Sequence, residues 1–158
     1  MKRAAALILA LALCFSLCAC GADKEISIYD LQKAMLSADG ELPEMLTASS
    51  SDSDGEKKFA YLSDMDYSEV EGYFLAYSAD GTAYEIAVIC LKDGDDTDLA
   101  KASLQSHLDG RISLYKTYEP TQASRAEDAL IISRGSCVAL IMCDNTDAVK
   151  SAFEEFLK

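Results

Sequence analysis

EGYFLAYSADGTAYEIAVICLKD, residues 71–93, is the stretch from which the fold can be read. Aromatic and aliphatic side chains alternate up to Tyr77, Asp80-Gly81 interrupts them, and a second apolar run continues from Glu85 to Leu91. This is the pattern of a β-hairpin, because Asp-Gly supplies the positive-φ positions that a two-residue turn demands. A turn at Asp80-Gly81 sets a register in which Tyr77 faces Tyr84, Leu75 faces Ile86 and Tyr73 faces Val88. Tyr73, Leu75 and Tyr77 then form the core face, while Phe74, Ala76, Glu85 and Ala87 share the other.

Downstream, Leu99, Leu104, Leu108, Ile112, Tyr115 and Tyr118 recur at helical spacing, which predicts one long helix over 97–118. Asp95, Asp96 and Asp98 sit at its positive N-terminal end, and Pro120 stops it. A second hairpin follows in ALIISRGSCVALIMCD, turning at Gly135-Ser136. Its strands, 129–134 and 137–143, are apolar on both faces, which predicts central strands covered twice. Asn145 or Thr146 then caps a last helix that turns Val149, Ala152, Phe153, Phe156 and Leu157 inward.

Upstream, Ser27 caps a helix with Ile28, Leu31 and Met35 on one face. In GELPEM, 40–45, Pro43 suits the first turn of another short helix. Residues 47–58 read as a polar loop, and Phe59 to Leu62 as a short edge strand. The fold expected from these elements is α+β: an antiparallel sheet of about four strands from two β-hairpins, with helices packed on it.

The first twenty residues carry a different signal. Met1-Lys2-Arg3 precedes an uncharged apolar run, the layout of a secretory signal peptide. Leu17-Cys18-Ala19-Cys20-Gly21 resembles the lipobox of bacterial lipoproteins, with Leu at −3, a small residue at −1 and Cys at +1. The resemblance implies cleavage before Cys20 and a diacylglyceryl thioether on that residue. A transmembrane helix is the competing reading of the same run. The expected organisation is a lipoprotein signal peptide over 1–19, a short tether over 20–27 and one domain over 28–158, lipid-anchored on the outer side of the cytoplasmic membrane.

The chain holds 27 acidic against 14 basic residues, a net charge of −13. Such a surface repels polyanions, so nucleic acid is not an expected partner. Three cysteines lie beyond the signal. Cys137 and Cys143, six residues apart on one strand, are separated by about 20 Å, too far for a disulfide. Cys90 pairs with one of them only if their strands are neighbours, and the odd count leaves a free thiol.

No cofactor, metal or catalytic set is expected. Aligned on Gly55, a calcium loop would need a bidentate Glu where Tyr61 stands. The run 93–98 lacks glycine at its sixth position. His107 is the only histidine, which rules out zinc sites built on several histidines. It is placed on the exposed side of the long helix. Carboxylate pairs are numerous enough to leave a glycosidase-like dyad open.

Leu42-Pro43-Glu44-Met45, the turn from Tyr61 to Asp66, residues 71–93 and Tyr118-Glu119-Pro120 together resemble a family of Gram-positive lipoproteins, domain of unknown function 4358. The resemblance covers about residues 28–157. It implies an extracytoplasmic lipoprotein domain and brings no activity or catalytic residue. The expected function is a membrane-anchored, non-enzymatic binding or protein-interaction module, with a protein or small ligand as partner. A cell-surface hydrolase using acidic residues is the alternative.

Overall fold

The computed structural model describes residues 26–94 and 97–158. The signal segment and Cys20, as well as Asp95 and Asp96, lie outside the described residues. The elements in chain order are α1 (Ile28–Ser37), β1 (Met45–Ser49), α2 (Gly55–Phe59), a 3-10 turn (Tyr67–Glu69), β2 (Val70–Ser78), β3 (Glu85–Leu91), α3 (Thr97–Tyr118), α4 (Pro120–Glu127), β4 (Leu130–Arg134), β5 (Cys137–Met142) and α5 (Thr146–Phe156).

The strands form one antiparallel sheet in the order β1-β2-β3-β5-β4. The fold is α+β as the sequence predicts, with five strands where about four were expected. The added strand is β1, whose Met45–Ser49 pairs with Phe74–Ser78. Pro43 leads into this strand and starts no helix. The tract 47–58 therefore splits between β1, a turn and α2, while Phe59 and Leu62 are buried in and beyond α2 instead of forming an edge strand.

Strand side chains alternate between faces, and here both faces are apolar and covered. Tyr73, Leu75, Ala87, Ile89, Val138, Leu140 and Met142 face Leu104 and Leu108 of α3 and Ala123 and Ala126 of α4. Phe74, Ala76, Ile86, Val88, Ala139 and Ile141 face Leu31 and Met35 of α1 and Val149 and Phe153 of α5. Ser27 starts α1 by accepting from the Asp30 amide at 3.3 Å. Asp39, almost wholly buried, accepts from the amides of Glu41 and Asn145, fastening the end of α1 to the start of α5.

The first hairpin differs from expectation by one residue. Tyr77 pairs with Glu85, Leu75 with Ala87 and Tyr73 with Ile89. The cause is the turn, which spans six residues between Ser78 and Glu85 rather than two. Asp80 accepts from the Thr82 amide at 3.1 Å, from the Thr82 hydroxyl at 2.7 Å and from the Ser78 hydroxyl. Those bonds, the Ser78 hydroxyl foremost, hold the Asp80 carboxyl down to about 2. Gly81 at φ 81° takes the left-handed position. A one-residue slip exchanges faces, so Glu85 and Ala87 join Tyr73, Leu75 and Tyr77.

The second hairpin turns at Gly135-Ser136 as predicted, pairing Arg134 with Cys137. β5 is internal, but β4 lies at the sheet edge with its side chains half-buried or exposed. Ile131 and Ile132 of β4 pack on opposite faces, so helices reach over this edge and explain its two-sided apolar pattern. The long helix runs Thr97–Tyr118 as predicted, although Leu99 and Tyr118 at its ends are exposed. Pro120 ends it and opens α4, which had no counterpart in the sequence reading.

Cys90 and Cys137 stand opposite each other on β3 and β5 and form a disulfide. Cys143 is the free thiol among the described residues. It is buried, and that burial pushes its pKa up to about 11.

Candidate functional site

The corrected register places Glu85, the first residue of β3, beneath α3 with 2% of its surface exposed. A buried carboxylate needs partners, because an isolated ion in an apolar interior is expelled or neutralised. Two successive turns of α3 supply them. His107 Nε2 lies 2.6 Å from Glu85 Oε1, and Arg111 Nε lies 3.3 Å from Glu85 Oε2. The His107 side chain is only 15% exposed, which overturns its placement on the open side of the helix. Leu104 and Leu108 do point inward, yet a residue three positions after Leu104 and four before Arg111 shares a flank with both. That flank rests on Glu85.

The two contacts to Glu85 differ in kind. The histidine contact has the geometry of a hydrogen bond, whereas Arg111 Nε is buried without an aligned acceptor, so its pairing with Glu85 is electrostatic. Arg111 is oriented by a third residue: its Nη2 donates to the Tyr115 hydroxyl at 2.7 Å, and its guanidinium sits 5.0 Å from the Tyr115 ring centre. The Tyr115 hydroxyl donates in turn to the Thr82 carbonyl at 3.1 Å, tying α3 to the hairpin turn. Burial raises the pKa of that phenol.

This trio forms the polar floor of an open groove of about 580 Å³. Leu46 and Ala48 of β1 and Leu75 and Tyr77 of β2 wall it on the sheet side. Lys58 and Tyr61, at and beyond the end of α2, wall it opposite. α2 is short, and tertiary contacts hold it. The Tyr73 hydroxyl donates to the Gly55 carbonyl at 2.6 Å, and Phe59 packs edge-on against the Tyr73 ring at 5.1 Å. A Cβ on Gly55 would come within 2.7 Å of the Ser49 carbonyl oxygen, so glycine lets α2 close on β1.

The groove has limited chemistry of its own. A histidine oriented by a carboxylate is two-thirds of a nucleophilic relay. Among the described residues, however, no hydroxyl or thiol bonds to His107. Ser103, one turn earlier, instead donates to Asp64 at 3.1 Å and contacts Ser63 at 2.7 Å. Glu85 is the one carboxylate lining the groove, so a two-carboxylate centre is not assembled there. Among the described residues no three His, Cys, Asp or Glu side chains converge to hold a metal ion. In the rejected calcium loop, Lys58 Nζ itself sits between Asp52 and Asp54, at 3.1 and 2.9 Å. Its hydrogen bond holds Asp52 below the usual carboxylate range.

The sequence reading missed this site although a signal for it was present. Glu85 is a lone charge at the head of an apolar strand, and an apolar strand tolerates a charge only where a partner meets it. The only histidine, with an arginine four residues later on the covering helix, was that partner.

The model of the family described as Domain of unknown function (DUF4358) matches residues 44–143, and the chain belongs to this family. The matched span runs from the start of β1 to the end of β5 and contains every residue that lines the groove. No curated protein and no solved structure matches the chain. Among the described residues, no helix is long and apolar enough to cross a membrane.

Proposed function

We propose that this protein is a lipoprotein anchored through Cys20 on the outer side of the cytoplasmic membrane, and that it is a non-enzymatic binding module whose ligand site is the groove under α3. The observation that carries the binding reading is the groove's make-up. Its sheet-side wall is apolar apart from Thr47, Lys58 and Tyr61 stand opposite, and its single carboxylate is already engaged by His107 and Arg111. Such a site holds a ligand by burial and orients it with a few polar groups. A hydrolase would need a nucleophile or a second carboxylate beside His107.

The anchoring reading rests on Leu17-Cys18-Ala19-Cys20-Gly21 following a basic start and an apolar run. Two acyl chains are sufficient physically, since each buried methylene contributes about 0.8 kcal/mol and one chain alone holds only marginally. The tether would lead into α1, which covers the sheet face opposite α3. The groove would therefore lie on the face away from the anchored helix, open to extracytoplasmic ligands.

Two measurements test the two halves. Mass spectrometry of the membrane-extracted protein should find Cys20 as a diacylglyceryl-modified N-terminus, and Cys20→Ala should abolish it. An N-terminus still carrying Met1 would restore the transmembrane reading. For the groove, a photo-crosslinking residue replaces Tyr61 at its wall or Tyr29 on α1, both well exposed. Crosslinks formed on cells from position 61 and absent from position 29 support the groove. The reverse pattern removes it.

A further inference from the structure

The groove has a feature beyond its side chains, because one wall is the free edge of the sheet. β1 pairs only with β2, and along it alternate residues turn their backbone groups inward to β2 or outward to solvent. Two bonds fix which are which. The Ala79 amide donates to the Glu44 carbonyl at 2.9 Å, and the Ser50 amide donates to the Tyr73 carbonyl at 3.0 Å. Both lie on the register that pairs Leu46 with Tyr77 and Ala48 with Leu75. Even-numbered residues therefore bond to β2, and Met45, Thr47 and Ser49 present their amides and carbonyls outward.

Ser49 is already occupied. Its amide donates to Asp52 Oδ2 at 3.1 Å, and its carbonyl accepts from the Asp52 amide at 3.1 Å. Among the described residues nothing bonds to the outward groups of Met45 and Thr47. Two amides and two carbonyls thus stand free beside a groove that Leu46, Thr47 and Ala48 help to line.

We infer that β1 is a strand-addition site, at which an extended segment of another protein pairs antiparallel with Met45–Thr47 and lays its alternate apolar side chains in the groove. Strand addition takes affinity from main-chain bonds and specificity from pockets for every second side chain, and both parts are present here. Charge gives the partner's character. The protein carries −13 overall, and Glu41 and Glu44 precede β1, while Asp52, Asp54 and Glu56 beyond it are offset by Lys57 and Lys58. An antiparallel partner sets its C-terminal end beside Glu41 and Glu44, so that end is basic. A second copy fits less well, because it would bring another −13 to the same edge.

The inference rests on the binding reading of the groove and is tested separately from it. The probe is a fluorescent peptide of alternating valine and threonine ending in two lysines, followed by anisotropy against the detergent-extracted full-length protein. Saturable binding is expected, weakened at least tenfold when the lysines become glutamates or when alternate peptide amides are methylated. Thr47→Pro removes an outward amide at an edge position where proline is tolerated. It should abolish binding while circular dichroism and melting stay unchanged. Absence of binding, or binding indifferent to both Thr47→Pro and peptide methylation, overturns strand addition. So does a homodimer in sedimentation that Thr47→Pro dissolves, since it assigns the edge to a second copy. Crosslinks from position 61 without peptide binding would overturn this inference alone and leave the groove in place.

Discussion

The two faces of the sheet solve the same burial problem with different materials. The face under α1 and α5 is apolar at its centre, with Phe74, Ile86, Val88 and Ile141 fully buried and the buried Asp39 confined to the junction of the two helices. The face under α3 and α4 is equally closed at its centre, but toward β1 it admits Glu85, His107 and Arg111 and opens into the groove. Function concentrates where packing is incomplete and polar groups must satisfy one another. The first face is closed by packing, and the second divides its side chains between packing and the groove.

If that division is right, the largest effect of a single truncation belongs to the closed face. Phe74→Ala removes a ring with no exposed surface from the cluster that also holds Leu31, Met35 and Phe153. It should destabilise the domain by about 3–5 kcal/mol, the usual range for a buried aromatic. Denaturant unfolding measures this. A loss below about 1 kcal/mol would mean that this face is loosely packed and that the contrast between the faces fails.

The disulfide lies on the closed face and gives the next largest effect. It joins residues 47 apart in sequence. Replacing Cys90 and Cys137 together by Ala should cost about 3–4 kcal/mol if loop-closure entropy governs. Peptide binding at the β1 edge should not change in the variant that remains folded. The expectation that Cys137 and Cys143 are not bonded to each other is met, since Cys137 is joined to Cys90.

His107→Ala sharpens the comparison from the open face. On the exposed helix side first assigned to it, the change would be nearly neutral. The structure instead has it leave Glu85 Oε1 without its hydrogen bond in a nearly buried position. A cost of about 1–2 kcal/mol is expected, and His107→Gln should recover part of it. A neutral His107→Ala would return the residue to the solvent side and dismantle the trio.

What was legible in the sequence follows from how local each signal is. The long helix, the Gly135-Ser136 turn and the α1 cap are set by residues within a few positions of one another, and all three appear where predicted. The 71–93 hairpin was legible as a hairpin but not in register, because Asp-Gly was read as the turn itself. Asp80 instead organises a wider turn through Ser78 and Thr82. That single step hid Glu85 from α3 and hid the site with it. β1 was unreadable for another reason. Met45-Leu46-Thr47-Ala48-Ser49 carries little strand pattern of its own, and its pairing with β2 makes it a strand.

The smallest effect concerns the rim where the two faces meet. Arg125 of α4, on the open face, reaches Asp144, just after β5 on the way to α5, with its Nε donating at 2.7 Å and its Nη2 at 3.2 Å. The Tyr84 hydroxyl donates to the same carboxylate at 2.6 Å, and the guanidinium stacks 4.0 Å over the Tyr84 ring. The Arg125 bonds, then the tyrosine bond, lower the Asp144 pKa. A carboxyl depressed on folding adds stability that is present above its unfolded pKa, near 4. That stability is lost as pH falls through the folded value. Because the Asp144 side chain is about half exposed, solvent screening limits the gain to about 0.5–1 kcal/mol. Asp144→Asn should remove that much at pH 7, and the difference should shrink as pH falls from about 4 through the lowered Asp144 pKa. Thermal melts between pH 2.5 and 7 decide the matter. A constant difference across that range would show that the carboxylate contributes through packing and not through charge, and that nothing electrostatic joins the two faces at this rim.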